Sequence, residues 1–220
     1  MIVSRTFDLA NEQVRDLILE ECTRVVRDDG LLVIPTDTVY GIAADAFSPN
    51  GVAKLLKAKG RGRNMPPPVL VPRAETVMGL AEAVDSTVME LTARFWPGPL
   101  TIICNAQPSL HWDLGDTHGT VGLRMPDHEA TLALLSKVGP LAVSSANLSG
   151  EPAAVTVEQA ANMLGDRVDI FLDGGEAPGG QSSTIIDMSG SVPRLLREGP
   201  ISFDELAQVV DGLEPLAPEA

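Results

Sequence analysis

Six basic side chains and no acidic one lie within positions 54–73 of a chain whose formal net charge is −14. The centre of this basic segment is the run Lys59-Gly60-Arg61-Gly62-Arg63, and prolines at positions 66–68 stiffen the backbone just after it. Lysine acts on a phosphate as a point charge, whereas arginine donates two parallel hydrogen bonds. The basic segment therefore predicts a site for a phosphorylated ligand.

The alternative for each cation in the basic segment is a solvated helix end, because cations are favourable near helix C-termini. Lys54 and Lys57 lie at helical spacing, so the solvated interpretation is favoured for these two. For Lys59, Arg61 and Arg63, which we place on a loop, ligand binding is favoured.

Small hydroxyl residues, glycines and arginines recur at the ends of predicted strands. The runs Pro35–Gly41 and Ser144–Gly150 each follow an apolar strand, and Ser182–Thr184 follows two glycine pairs. Arg124 and Arg197 lie at the ends of two further strands. Because open α/β sheets bind ligands at strand ends, these groups together predict a binding site.

Taken singly, each of these groups has a structural explanation. Asp37 is equally well explained as a turn residue that bonds its own backbone. Arg124 either pairs with an acid such as Asp127 or binds a ligand carboxylate, and the spacing does not separate the two. Trp96-Pro97-Gly98-Pro99 is best explained as a rigid structural corner.

The composition restricts the class of protein. A chain of 220 residues with 44% hydrophobic content is expected to bury one core, and its acidity disfavours broad, sequence-independent nucleic-acid binding. Cys22 and Cys104 lie in apolar segments and are predicted to be buried thiols of a reduced, cytoplasmic protein. No apolar run approaches the length of a membrane span.

Several common signatures of enzymes are missing from the sequence. It has no Walker glycine-lysine loop, no Gly-x-Gly-x-x-Gly and no Gly-x-Ser-x-Gly. The three histidines, His111, His118 and His128, have no metal-ligand spacing with each other or with the cysteines. A zinc hydrolase and a Cys–His nucleophile are therefore disfavoured, and no protein-held metal site is expected.

Hydrophobic periodicity and turn residues predict an α/β domain with a mixed sheet, because helices and strands alternate irregularly. The predicted strands are 31–35, 69–71, 100–104, 121–125, 141–144, 170–173, 184–188 and 194–197, and the predicted helices lie near 14–26, 52–56, 88–95, 130–137, 156–165 and from 202. Residues 1–210 are expected to form one domain. Residues 211–220, rich in Pro, Glu and Ala, are expected to form a disordered acidic tail.

Seven of these motifs, in this order, resemble the YrdC-like family of threonylcarbamoyl-AMP synthases, in its short single-domain form. They are Pro35–Gly41, Lys59–Arg61, Trp96–Thr101, Arg124–His128, Ser145–Gly150, Ser183–Ile185 and Arg197–Gly199, and the match spans about 31–199. The resemblance implies a twisted mixed sheet with flanking helices around a concave, positively charged cavity. It implies that L-threonine, bicarbonate and ATP give threonylcarbamoyl-AMP and pyrophosphate, a nucleotidyltransferase reaction, with Mg²⁺ carried by ATP.

The resemblance also implies the partners and the site residues. The product would pass to a tRNA threonylcarbamoyl transferase complex that modifies tRNA next to the anticodon, and direct RNA binding would be weak. The implied threonine-binding residues are Thr38, Arg124 and Ser183. The implied ATP-binding residues are Lys59, Arg61, Thr120, Ser145, Asn147 and Arg197, of which Lys59 and Arg61 would be catalytic through charge stabilisation.

One departure from the family pattern and two other functions stay open. The family usually has proline directly after the lysine-glycine-arginine triplet, whereas this chain has Gly62-Arg63-Asn64-Met65. Whether Arg63, Asn64 or Met65 contacts ATP is therefore undecided. The alternative functions are a carbamoyl-adenylate-forming maturation domain and a non-catalytic RNA-binding module.

Overall fold

The computed structural model describes residues 4–217, and all ten named strands in that range belong to one sheet. The strands are β1 (Arg5–Asp8), β2 (Leu32–Ile34), β3 (Gly41–Asp45), β4 (Val69–Leu70), β5 (Leu100–Asn105), β6 (Thr120–Arg124), β7 (Leu141–Ser145), β8 (Ile170–Asp173), β9 (Thr184–Asp187) and β10 (Arg194–Arg197). The α-helices are α1 (Glu12–Arg27), α2 (Pro49–Lys59), α3 (Val77–Leu80), α4 (Ser86–Phe95), α5 (Glu129–Val138), α6 (Val157–Leu164) and α7 (Phe203–Ala207).

The sheet is mixed and twisted, and its strand order is β1-β8-β2-β3-β7-β4-β6-β5-β9-β10. The pairs β1/β8, β2/β8, β4/β6 and β5/β9 are parallel, while the remaining neighbours are antiparallel. The prediction of an α/β fold with a mixed sheet and flanking helices is confirmed.

Helices cover both faces of the sheet, and each face has its own apolar core. Val33 belongs to one cluster and its neighbour Ile34 to the other, as expected because successive strand residues point to opposite faces. Leu19 of α1 and Leu134 of α5 pack on the Ile34 side. The helices α2, α4, α6 and α7 cover the other side, represented by the fully buried Leu55 of α2.

Two strands were not predicted from the sequence. β1 is an edge strand of four residues with mostly exposed side chains, so it has no apolar alternation to detect. β3 has the sequence GIAAD, which is poor in strand-forming residues, yet it lies between β2 and β7 with nearly every residue buried. Tertiary packing, not local preference, makes this segment a strand.

The C-terminal segment differs from the predicted tail at residues 211–214. Leu213 is 9% exposed and packs against the main core. The Glu214 N–H donates to Pro193 O, and Glu214 O accepts from Leu195 N–H, both at 2.9 Å. One apolar anchor and two backbone bonds thus fix the segment, while residues 218–220 of the predicted tail lie outside the described range. Within residues 4–217, no helix combines the length and the apolar character needed to cross a membrane.

Candidate functional site

A cavity of about 50 Å³ lies at the ends of several strands. Thr38 after β2, Arg124 at the end of β6, Ser145 at the end of β7 and Ser183 before β9 all line it. The structure therefore brings together all three predicted threonine-binding residues and one predicted ATP-binding residue. Thr101 of β5, which was not predicted as a site residue, also lines the cavity.

Arg124 is the most buried arginine of the site, with 6% of its surface exposed. Its Nη1 donates to Thr38 Oγ1 at 2.9 Å, and its Nη2 donates to Asp37 Oδ1 at 2.5 Å. The Asp127 carboxylate, which the sequence offered as a partner, is exposed, and only the backbone N–H of Asp127 bonds to Asp37 Oδ1, at 3.0 Å. The acid that balances Arg124 is therefore Asp37, from the motif that also carries Thr38.

The predicted structural corner at 96–99 also positions Arg124. Trp96 is buried, and its Nε1 donates to Leu100 O at 2.7 Å, which fixes the turn into β5. The carbonyl of Gly98 then accepts a hydrogen bond from Arg124 Nε at 3.0 Å. The corner is structural, as predicted, and it also fixes one side of the guanidinium group.

Ser183 links the amino-acid residues to a predicted ATP residue. Its Oγ lies 2.9 Å from Thr101 Oγ1 and accepts from Arg197 Nη2 at 3.1 Å. Arg197 Nε donates to Ser183 O at 2.8 Å. Burial lowers the pKa of Arg197, and the positive charges of Arg124 and Arg61 lower it further. Arg197 is therefore the cation of the site that the charges of Arg124 and Arg61 affect, and it contacts the cavity wall through Ser183.

Arg61 is the third arginine of the site, and it has unused hydrogen-bonding capacity. Its Nη1 donates to Ser144 Oγ at 2.8 Å, and its buried Nε has no hydrogen-bond partner. Burial lowers its pKa, although an arginine stays protonated at any physiological pH. Among residues 4–217, no carboxylate oxygen lies within 4.0 Å of its nitrogens. A half-buried cation without a counter-charge favours an anionic ligand.

Lys59 is not on the loop where the sequence placed it, because it is the last residue of α2 and is 2% exposed. Gly60 ends the helix in the left-handed conformation at φ 64°. Lys59 Nζ donates to Ser145 O, to Asn147 O at 2.7 Å and to Asn147 Oδ1 at 3.2 Å. Burial and the charge of Arg61 lower the pKa of Lys59 to about 8.

The side chain of Asn147, like that of Lys59, makes its hydrogen bonds to other groups of the protein. Its Nδ2 donates to Leu148 O at 2.9 Å and to Glu151 O at 2.6 Å, and its Oδ1 accepts from Lys59. The two side chains together fix the loop after β7, directly behind Ser145. A direct contact of either with ATP stays a prediction.

Arg63 lies on a loop, as predicted, where surface carboxylates pair with it, and its contact with a phosphate stays a prediction. It is 55% exposed, with Nη2 2.8 Å from Asp113 Oδ1 and Nε 3.4 Å from Asp116 Oδ1. Asn64 and Met65 are exposed on the same loop. The loop after Arg61 therefore turns its charge toward an acidic surface segment.

A second cavity of about 110 Å³ adjoins the first, and Pro68 and Thr101 line both. Its walls include the proline run 66–68, Leu114 and Thr120. Thr120 Oγ1 donates to Thr117 O at 2.8 Å. The predicted ATP residue Thr120 thus lies in this neighbouring cavity, which is more apolar than the first.

Three groups of the site were missed from the sequence: Asp37, Thr101 and the Gly98 carbonyl. The signal for Asp37 was its position between two threonines in the run 35–41, but its partner Arg124 is distant along the chain. The described residues contain no group of three or more His, Cys, Asp or Glu that could hold a metal ion.

Comparison with known proteins identifies relatives along nearly the whole chain. The Sua5/YciO/YrdC family model, described as telomere recombination, matches residues 24–199. A Mycobacterium tuberculosis protein provisionally named threonylcarbamoyl-AMP synthase is 48% identical over 208 residues, 94% of this chain and 96% of its own length. The threonylcarbamoyl-AMP synthase of Pyrococcus abyssi is 32% identical over 200 residues, which cover 90% of this chain and 59% of that protein.

A solved structure of a relative has the same fold. The crystal structure of Pyrococcus abyssi Sua5 complexed with L-threonine matches with a TM-score of 0.86 and 30% identity. The match covers 98% of this chain and 62% of the solved one, so this chain spans about three fifths of that relative's length. From the family model, the identities and the shared fold, the chain belongs to the Sua5/YciO/YrdC family.

Proposed function

We propose that this protein is a threonylcarbamoyl-AMP synthase, an enzyme that joins L-threonine, bicarbonate and ATP into threonylcarbamoyl-AMP with release of pyrophosphate. The relatives named for this activity support it, and one of them has been crystallised with L-threonine. The observation that carries the proposal is the placement of three arginines around one hydroxyl-lined cavity. Arg124 lines the cavity, and Arg197 bonds to its wall residue Ser183. Arg61 bonds to Ser144, which precedes the wall residue Ser145. Such a site suits the carboxylate of an amino acid and the phosphates of a nucleotide held side by side.

Arg124 is the group that binds the threonine carboxylate. A guanidinium has five N–H donors, and three of those on Arg124 are bonded to Gly98, Thr38 and Asp37. One N–H on each terminal nitrogen therefore stays available, which matches the two oxygens of a carboxylate. The hydroxyls of Thr38 and Ser183 line the same cavity and provide the polar contacts for the rest of the amino acid.

Arg61 and Arg197 bind the phosphates of ATP in this proposal. Ser145 lines the threonine cavity next to Ser144, the partner of Arg61, while Thr120 contacts the nucleoside side in the adjoining cavity. Lys59 adds its charge from behind the loop that Asn147 and Ser145 form. Since its ammonium already has three oxygen partners, we assign Lys59 to fixing that loop and to the local field.

The chemistry requires positioning and charge stabilisation, with no protein nucleophile. The threonine amine forms an N–C bond with bicarbonate and a water molecule leaves, giving a carbamate. A carbamate oxygen then attacks the α-phosphorus of ATP, and the bond to the bridging oxygen of pyrophosphate breaks. Negative charge grows on the phosphoryl oxygens, so cations held in place lower the barrier. The reaction class is nucleotidyl transfer.

Mg²⁺ enters this proposal as part of the ATP substrate. The described residues offer no carboxylate or histidine cluster that fits a protein-held ion. In this proposal the residues of the chain that act on the phosphates are Arg61 and Arg197.

The product is a reactive mixed anhydride that must be consumed in the same compartment. We place the enzyme in the cytoplasm and its product with a tRNA threonylcarbamoyl transferase complex. Direct RNA binding is expected to be weak, because Lys59 is buried and Arg63 is paired with Asp113 and Asp116.

The experiment is mass spectrometry of the products formed from ATP, isotope-labelled bicarbonate and single amino acids. Threonine should give labelled threonylcarbamoyl-AMP with an equal amount of pyrophosphate. Serine, valine and carbamoyl phosphate serve as comparison substrates. A carbamoyl-adenylate formed from carbamoyl phosphate would favour the maturation-domain alternative, and no adenylate from any mixture would contradict the proposal.

A further inference from the structure

The Asp37 carboxylate balances the charge of Arg124 away from water. In this ion pair the side chains of Asp37 and Arg124 are 12% and 7% exposed. Oδ1 accepts from Arg124 Nη2 and also from the Asp127 backbone N–H. One carboxylate oxygen thus ties the turn after β2 to the end of β6, the two chain segments that form one wall of the cavity.

The second carboxylate oxygen of Asp37, Oδ2, is buried and has no hydrogen-bond partner. A buried, unpaired carboxylate oxygen lowers the stability of a fold, and such groups are rare in native proteins. Because its solvent-accessible area is negligible, Oδ2 is also closed to a ligand in this conformation. Asp37 therefore acts through Oδ1 and its bond to Arg124.

Arg124 needs this acid because its charged guanidinium is buried, with 6% of the residue exposed. Burial lowers the pKa of Arg124, whereas the charge of Asp37 and its hydrogen bond raise it. Without Asp37, the Arg124 guanidinium would keep only the neutral oxygen partners Thr38 and Gly98, and its Nη2 would lose its charged partner. The carboxylate compensates the buried charge and fixes the Nη2 end of the guanidinium.

We infer that Asp37 is a positioning residue for amino-acid binding, which holds Arg124 in the orientation where its two remaining N–H groups receive the substrate carboxylate. This inference rests on the proposed function. It adds a residue that acts on threonine binding through Arg124. It predicts that the KM for threonine changes when Asp37 is replaced, whereas the KM for ATP does not.

The test is Asp37→Asn, which keeps the shape of the side chain and removes its charge. The KM for threonine should rise about tenfold or more, as for the loss of a charge-assisted contact, while the KM for ATP changes less than about twofold. Asp127→Asn is the matched control, because it removes a neighbouring exposed charge and keeps the backbone N–H that bonds to Asp37. It should leave both constants unchanged.

A double variant separates an indirect role from a direct one. In an Arg124→Lys background, Asp37→Asn should add less than about twofold to the KM for threonine, because the group through which it acts is already gone. The full tenfold effect in that background, or equal rises in both KM values of the single variant, would overturn the inference. Thermal unfolding of each variant confirms that the protein measured is folded.

The activity of the wild-type enzyme distinguishes a failure of the inference on Asp37 from a failure of the proposed function. If wild type makes threonylcarbamoyl-AMP and Asp37→Asn keeps its KM for threonine, only the inference on Asp37 fails. If wild type forms no product from threonine, the proposed function and this inference fail together.

Discussion

Arg197 holds Ser183 at two points, through Nε to the backbone oxygen at 2.8 Å and through Nη2 to Oγ at 3.1 Å. Ser183 is proposed to contact threonine and Arg197 to contact ATP. The two proposed substrate sites therefore share one pair of residues. Replacing either residue should change kcat/KM for both substrates.

Arg197→Lys should lower kcat/KM for threonine and for ATP together. Lysine cannot make the paired bonds to Ser183, and losing a charged hydrogen bond costs about 1.5–3 kcal/mol, or roughly 10- to 100-fold. Steady-state pyrophosphate release measures both constants. The control is Arg194→Lys in the same strand, since Arg194 is 60% exposed and pairs with Glu214 at the surface. It should change either constant by less than about twofold, and an effect of Arg197→Lys on ATP alone would contradict the shared pair.

Gly199→Ala should disrupt the segment that carries Ser183. A Cβ at position 199 would lie 2.6 Å from Thr184 N and would also overlap Ser182 O, so the backbone has to move. We expect a loss of about 2–4 kcal/mol in the free energy of unfolding, as for other overpacked positions, together with loss of activity.

The matched control is Gly79→Ala within α3, where a Cβ would meet nothing within 4 Å. Alanine is the better helix former, so this variant should be about 0.5–1 kcal/mol more stable than wild type. Chemical denaturation of both variants checks the pair. An unchanged stability of Gly199→Ala would show that residues 182–184 tolerate displacement.

The lowered pKa of Lys59 predicts how the free energy of unfolding depends on pH. Its pKa in the folded protein is about 8, against 10.5 as its ordinary value. Between these values the unfolded chain binds more protons than the folded one, so the contribution of Lys59 to the free energy of unfolding increases as pH rises. Below about pH 8 both states are protonated, and the contribution is constant.

The measurement is denaturant unfolding of wild type and Lys59→Met between about pH 7 and pH 10. The difference between the two proteins isolates Lys59 from the cysteines and tyrosine, which also titrate at alkaline pH. Wild type should gain stability relative to the variant above about pH 8. A difference that stays flat or declines over this range would show that the three oxygen partners of Nζ hold the proton more firmly.

Cys22 and Cys104 should be unreactive in the folded protein. They are 0% and 4% exposed, and burial raises the pKa of each thiol to about 12. The thiolate is the reactive form of cysteine. Near neutral pH the two thiols should therefore be labelled only after the protein unfolds. Thiol titration with an aromatic disulfide in native buffer and in denaturant measures this. Rapid labelling of either cysteine in native buffer would contradict its burial.

Much of the fold is predictable because the buried elements have strong apolar patterns. The runs at β5, β6 and β7 are dense in branched aliphatic residues, and Ser202 and Glu205 form the capping box that begins α7. β3 has no comparable pattern, since glycine and alanines become a strand there through burial between two neighbours. The pattern of residues along the chain does not show which segments are buried between neighbouring strands.

The residue types of the site can be predicted from the sequence, but their hydrogen-bond partners cannot. Arg124 and Thr38 were recognised, yet the bonds of Arg124 go to Asp37 and Gly98, both distant in sequence. Lys59 was expected on a loop, and the structure buries its ammonium under another loop. Which cation faces a ligand and which one faces the protein depends on long-range packing.

The most direct test of the central claim is a crystal structure with L-threonine and a non-hydrolysable ATP analogue. The account predicts the threonine carboxylate on Arg124 and phosphate oxygens on Arg61 and Arg197, at about 2.7–3.0 Å for charged hydrogen bonds. A structure in which the nucleotide binds elsewhere, with Arg61 and Arg197 turned away from its phosphates, would contradict it.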